Sequence, residues 1–146
     1  MYVKLNLPQV DLKFKQTGDI HLVYDVIRKK YIQITPEEWV RQHIIHYCIQ
    51  LKYPKTLMAV ETGLKMFAVL NRTDVLIYNR MGKPWMLIEC KAPEVKLNQN
   101  AFQQALRYHL NLSVQYLVLS NGMQHFCFEV CNNELLLQKN MPAFPL

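Results

Sequence analysis

No apolar stretch in this sequence approaches the roughly 18 residues that a bilayer-spanning helix needs, so no transmembrane segment is expected. The opening, Met1-Tyr2-Val3-Lys4-Leu5-Asn6-Leu7-Pro8, lacks the charged-then-apolar layout of a secretory signal. Cysteine is scarce: Cys48, Cys90, Cys127 and Cys131 include no Cys-x-x-Cys pair. A chain that can bury its own core has no need of a disulfide framework. A reduced, cytoplasmic setting is therefore expected, with the cysteines packed as small hydrophobes. His125, Cys127 and Cys131 fit no zinc-ligand spacing. No Gly-x-x-x-x-Gly-Lys-Ser/Thr phosphate loop occurs, which argues against an ATP site in this chain. Repeats, low-complexity tracts and linker-like stretches are missing as well, leaving one folding unit over residues 1–146.

What is present is a large apolar fraction. Hydrophobic residues make up 51% of the sequence and charged residues 19%, enough for a core and too apolar for a disordered chain. Lys and Arg number 17 against 11 Asp and Glu, a net charge of +6. The excess is uneven. Residues 1–107 hold 16 basic and 9 acidic side chains, and the remainder holds one and two. A polyanionic partner would therefore meet the first three quarters of the chain.

Periodicity gives the order of elements. Residues 10–15 alternate apolar and polar like a half-buried strand. Thr17-Gly18-Asp19 signals a turn, and residues 20–33 read as a partner strand or two. This N-terminal hairpin region, about 9–33, carries Arg28-Lys29-Lys30, read as a solvated strand edge. Thr35-Pro36-Glu37-Glu38 starts a helix, with Thr35 as N-cap and Pro36 at the first helical position. Val40, Ile44, Tyr47, Cys48 and Leu51 recur at helical spacing until Tyr53-Pro54. Strands are expected over 57–61, 73–78 and 85–91, with Met81-Gly82-Lys83-Pro84 turning between the last two. A second helix fits Gln99 to Leu110, followed by a strand over 114–119 and a turn at Asn121-Gly122. A closing hairpin at about 124–138 turns at Asn132-Asn133. The fold class is α/β: helix, three strands, helix and strand in a core of about 34–121, with a mixed sheet and β-hairpins at both ends.

The chemistry concentrates in two strands. Residues two apart on a strand share a face, so Glu89 and Lys91 point one way and Met86, Ile88 and Cys90 the other. Trp85 shares the Glu89 face on the same count, where it could stack on a base or sit in the core. If strands 73–78 and 85–91 pair as a hairpin, Asp74 falls beside Glu89 and Lys91. Two carboxylates at one end of an apolar sheet repel and lose solvation unless something binds them. Mg²⁺ or Mn²⁺ would bind them, and would suit metal-assisted phosphodiester hydrolysis. A surface ion cluster is the plain alternative. His43 and His46, three apart on the first helix, and Glu61, closing a strand, have readings as ligands but are more simply core or surface residues.

Asp74 with Glu89-Cys90-Lys91 resembles the PD-(D/E)XK nuclease motif, and the element order resembles the restriction-endonuclease-like core. Gln104-Ala105-Leu106-Arg107-Tyr108 resembles the Gln-x-x-x-Tyr motif of the nuclease domain in type I restriction enzyme R subunits. The stretches 35–42 and 88–94 are similar to small stand-alone proteins related to that domain. The resemblance runs from about Tyr24 to Asn121. Thr73 stands where the motif has its proline.

The resemblance implies that Asp74 and Glu89 hold the ion and that Lys91 is the catalytic lysine. Gln104 and Tyr108 would face the site or the DNA backbone, with Arg41 and Arg72 as cationic candidates for DNA. An acid on the first helix often supplements such a site, and Glu38 is the candidate, although it also suits a capping box with Thr35. The expected activity is that of a Mg²⁺- or Mn²⁺-dependent deoxyribonuclease, or the nuclease module of a restriction or repair system. The partners implied are DNA and either a second copy or other restriction-system subunits. A non-catalytic DNA-binding or assembly module on the same scaffold is the alternative. An interaction subunit that pairs through its apolar terminal hairpin is a third reading.

Overall fold

The computed structural model of the chain describes residues 2–60 and 75–146, with the backbone alone for 108–112. Three short strands come first: β1 (Phe14–Thr17), β2 (Ile20–Asp25) and β3 (Lys30–Gln33). They form an antiparallel three-stranded sheet in the order β1-β2-β3. Residues 20–33, read as a partner strand or two, thus form two strands, and the first strand begins at Phe14 rather than at residue 10. The β2–β3 turn divides them. Asp25 Oδ1 accepts the backbone N–H groups of Ile27 and Arg28 at 2.8 and 2.7 Å, and Lys29, at φ +56°, returns the chain.

Helix α1 (Pro36–Gln50) starts where the capping signal places it. Thr35 Oγ1 accepts the Glu38 N–H at 3.0 Å, satisfying one of the orphan donors of the first turn. The Glu38 carboxylate turns toward arginines instead of completing a capping box. Then follow β4 (Met58–Val60), β5 (Val75–Tyr78), β6 (Pro84–Cys90), α2 (Gln99–Leu112), β7 (Tyr116–Ser120), β8 (His125–Cys131) and β9 (Glu134–Gln138). The six strands form one mixed sheet in the order β4-β5-β6-β7-β8-β9. Among the described strands only β6 and β7 pair in parallel, and α2 is the crossover that parallel pairing requires. The β8–β9 hairpin turns at Asn132 and Asn133, both at positive φ, as a two-residue turn demands.

The sheet is covered on both faces. Val75, Ile77, Met86, Ile88 and Cys90 pack on one side with Val40, Ile44, Ile45 and Cys48 of α1. Leu76, Leu87 and Leu117 pack on the other with Ala105 of α2 and with Val114. Strand β6 is therefore apolar on both sides, the pattern of a central strand. The β5–β6 register shifts between Ile77 and Tyr78. This irregularity corrects one expectation: Trp85 is taken off the Glu89 face and joins the α1-side core, 3% exposed. Its ring meets Tyr53, Tyr116 and Phe144 at centroid distances of 5.4, 5.4 and 5.2 Å, so no face is left for a base. No disulfide joins cysteines among the described residues, and Cys48, Cys90 and Cys127 are buried.

Candidate functional site

The end of β6 is where a charge enters the buried sheet. Leu87 packs toward α2, and Glu89, two residues on, follows on the same side, only 4% exposed. Lys91 continues the alternation, and its backbone N–H extends the β6–β7 ladder by donating to the Ser120 carbonyl at 2.8 Å. The Lys91 ammonium lies 3.0 Å from Glu89 Oε1. It also donates to Gln104 Oε1 at 3.5 Å.

Gln104 is delivered by α2. The helix is capped by Asn98, whose Oδ1 accepts the Ala101 N–H at 3.2 Å. Ala101 and Ala105 are both buried, and such small side chains let the helix approach the sheet closely. Asn121 fixes the intervening loop: its Nδ2 donates to the Val95 carbonyl at 2.9 Å, while its Oδ1 accepts from Met123 and Gln124. The sequence offered Asn121 only as a turn residue, and nothing local announces its reach to Val95.

The second carboxylate oxygen of Glu89, Oε2, is buried and has no hydrogen-bond partner among the described residues. Burial pushes the Glu89 carboxyl above its ordinary pKa. The adjacent Lys91 ammonium acts against that rise, and the charge of Glu37 adds to it. A buried carboxylate with one oxygen bound and one open is unfavourable in a closed core. It suits a position that receives a cation.

Glu37 is the first-helix acid whose field reaches Glu89. Glu38 lies in a different assembly. Its Oε2 accepts from Arg28 Nη2 at 2.8 Å and Gln42 Nε2 at 3.0 Å, and its Oε1 from Arg41 Nη1 at 2.7 Å. Arg41 also donates to Glu37 Oε1 at 2.7 Å. Asp25 Oδ2 closes the network, accepting from Arg28 Nε and Gln42 Nε2 at 2.8 Å each. Arg28 is therefore no solvated strand edge; Lys29 and Lys30 beside it are exposed. Arg41, expected at DNA, is 2% exposed and held by two glutamates, so it serves the network rather than a phosphate.

The structure thus brings Glu89, Lys91 and Gln104 together and sets Glu38 and Arg41 in the junction between α1 and the N-terminal sheet. Asp74, Arg72 and Glu61 lie outside the described residues, as does the side chain of Tyr108. The pairing nearest to Asp74 is described: Val75, its neighbour in sequence, stands opposite Ile88, the neighbour of Glu89. His43 Nδ1 donates to the Trp39 carbonyl at 2.7 Å, and burial lowers the pKa of both His43 and His46. His125 uses Nδ1 on Ser120 and Nε2 on Asn6. Among the described residues, no three His, Cys, Asp or Glu side chains gather as a metal group.

A family model described as type I restriction enzyme R protein N terminus (HSDR_N) matches residues 36–145. The chain belongs to that family. The match takes in α1, the six-stranded sheet and α2, hence every residue of the rim described above, and begins after β3. No curated protein matches the sequence. Membership of the restriction-enzyme R protein family agrees with the two-helix, mixed-sheet core. No helix among the described residues is long and apolar enough to cross a membrane.

Proposed function

We propose that this R-protein-type domain is a Mg²⁺- or Mn²⁺-dependent endodeoxyribonuclease of the PD-(D/E)XK kind, acting as the nuclease module of a restriction or repair system. The observation that carries the reading is the Glu89 carboxylate, buried at the end of an apolar strand with Oε1 on Lys91 and Oε2 without a partner among the described residues. An oxygen donor of this kind fits a hard divalent cation. Asp74 and Glu89 would hold the ion, with Asp74 assigned as the sequence neighbour of Val75, which pairs with Ile88. When bound, the ion withdraws charge from a phosphoryl oxygen and lowers the pKa of a water.

The remaining work falls to side chains of the chain itself. Lys91, held between Glu89 and Gln104, orients the attacking water and offsets charge that builds on the phosphate. Gln104 keeps the ammonium in that position. Tyr108, one helical turn further along α2, and Arg72 are assigned to the DNA backbone. Glu38 anchors the start of α1, and Glu37 contributes negative charge on the α1 side of the rim. A site of this kind cuts one strand, so double-strand cleavage calls for a second copy or another restriction-system subunit.

The test is nicking of supercoiled plasmid in Mn²⁺. Wild type nicks, and Lys91→Ala slows nicking by about a thousandfold, the order expected when one charge-stabilising donor is removed. Equal nicking by both proteins would remove catalysis from this rim. Absence of nicking in both, with DNA binding retained, would establish the non-catalytic binding module instead.

A further inference from the structure

We propose that the outward face of the β1–β3 sheet is a binding surface for single-stranded DNA, separate from the rim at Glu89. The choice of DNA over other polyanions rests on the nuclease reading above; the surface itself does not. The sheet precedes the region that matches the family model.

The ladder decides which side chains share this face, because directly opposed residues of antiparallel strands point the same way. Lys15 stands opposite Leu22, and Leu22 opposite Gln33. Tyr24 stands opposite Tyr31. Their rings meet edge-on at 5.3 Å, and the Lys15 ammonium sits 5.5 Å from the centre of the Tyr31 ring. The other face packs against the body of the protein at its centre. Val23 and Asp25 are buried there, and Phe14 lies against Trp39 at 6.3 Å. Asp25 is the single acid in the three strands, and it points inward. The outward positions therefore hold two aromatic rings, a lysine, a glutamine, a leucine, and the opposed pair Thr17 and Ile20, with no carboxylate among them. Lys13 flanks this row, its carbonyl accepting the Tyr24 N–H at 2.9 Å, and its side chain is exposed.

A sheet face with accessible rings beside cations is how single strands are held: bases stack on the rings and lysines meet the adjoining phosphates. Tyr31 is 41% exposed, so its ring is open to a base. A duplex keeps its bases stacked internally and would use the lysines alone.

Fluorescence anisotropy of a short fluorescein-labelled oligothymidylate in EDTA tests the assignment without cleavage. Wild type should bind, and Tyr31→Ala should weaken binding by about tenfold, within the range for loss of one base–aromatic stack. Tyr31→Phe should bind as wild type. Lys13→Ala/Lys15→Ala should reduce the slope of log affinity against log salt by about 1.4, at about 0.7 per single-strand phosphate. The assay in EDTA needs no cation at the rim, so failure of the nuclease reading would leave this result standing, and the reverse holds for plasmid nicking. A labelled duplex should be indifferent to Tyr31→Ala. The proposal is overturned if oligothymidylate does not bind, or if Tyr31→Ala and the double lysine variant both bind like wild type. It is equally overturned if Tyr31→Ala weakens duplex and single strand alike, or abolishes self-association seen by light scattering in place of DNA binding.

Discussion

At the N-terminal end of α1, Asp25, Glu37, Glu38, Arg28 and Arg41 are joined by side-chain bonds of 2.7 to 2.8 Å. At the end of β6, Glu89 pairs with Lys91 at 3.0 Å, and its second oxygen has no hydrogen-bond partner among the described residues. Both places bury carboxylates in a basic chain, yet they have been solved differently. In the first, each carboxylate oxygen that enters the core is met by a donor, and the result fastens the N-terminal sheet to the helix. In the second, one oxygen meets no donor among the described residues, and burial pushes the Glu89 carboxyl above its ordinary pKa. Buried charge alone does not mark a site; buried charge left incompletely matched does.

This contrast can be broken by substitution. The largest effect should come from Glu38→Ala, which leaves two buried guanidinium groups without their shared acceptor. A loss of about 4 kcal/mol in urea unfolding is expected, in the range for breaking a buried pair. A loss below about 1 kcal/mol would mean that the network is not holding α1.

Asp25→Asn comes next, at about 2 kcal/mol near neutral pH, the order for a buried hydrogen-bonded charge. Burial acts to raise the Asp25 pKa, but the Arg28 backbone N–H, the Gln42 amide and the Arg28 guanidinium outweigh it and hold the carboxyl below 3.8. A folded pKa below the unfolded one stabilises above the unfolded value and is lost as pH falls through the folded value. The difference in stability between wild type and Asp25→Asn should therefore be full near pH 7 and shrink below about pH 3.8. A difference that stays constant down the acid range would contradict the assignment.

The smallest effect belongs to the rim. Without divalent cations, Glu89→Gln should change unfolding stability by about 0.5 kcal/mol or less, or raise it, because it removes an incompletely matched charge. Mn²⁺ at about a hundred times its dissociation constant should then stabilise wild type by about 2.7 kcal/mol. The Glu89→Gln variant should gain little from the same addition. Thermal unfolding with and without Mn²⁺ reads both, and an equal Mn²⁺ response in the two proteins would remove Glu89 from the proposed ion site.

Local signals were legible from sequence and tertiary ones were not. Thr35-Pro36 announced α1 because a cap and a fixed proline φ act within one turn. The Asn132-Asn133 hairpin was legible for a similar reason, since two positive φ angles need residues that tolerate them. The opposition of Glu89 and Lys91 to Ile88 and Cys90 followed from strand alternation. Alternation failed at Trp85, because the register shift at Ile77 and Tyr78 changes parity and depends on how the turn at 79–83 closes. The reading of Glu38 gave no sign of Arg28, which is ten residues away in sequence and sits in the β2–β3 turn. The charge run at 28–30 likewise gave no hint that Arg28 folds inward while its neighbours stay in water.

The one parallel pairing in the sheet also sets a timetable. Neighbouring strands such as β8 and β9 can zip as soon as their turn forms, but β6 must wait for the whole α2 segment before β7 arrives. Lys91 depends on Ser120 for its backbone anchor and on α2 for Gln104. A nascent chain still lacking β7 therefore carries the acid and the ammonium without the frame that aims them, so any cation-handling capacity should emerge late in synthesis and all at once.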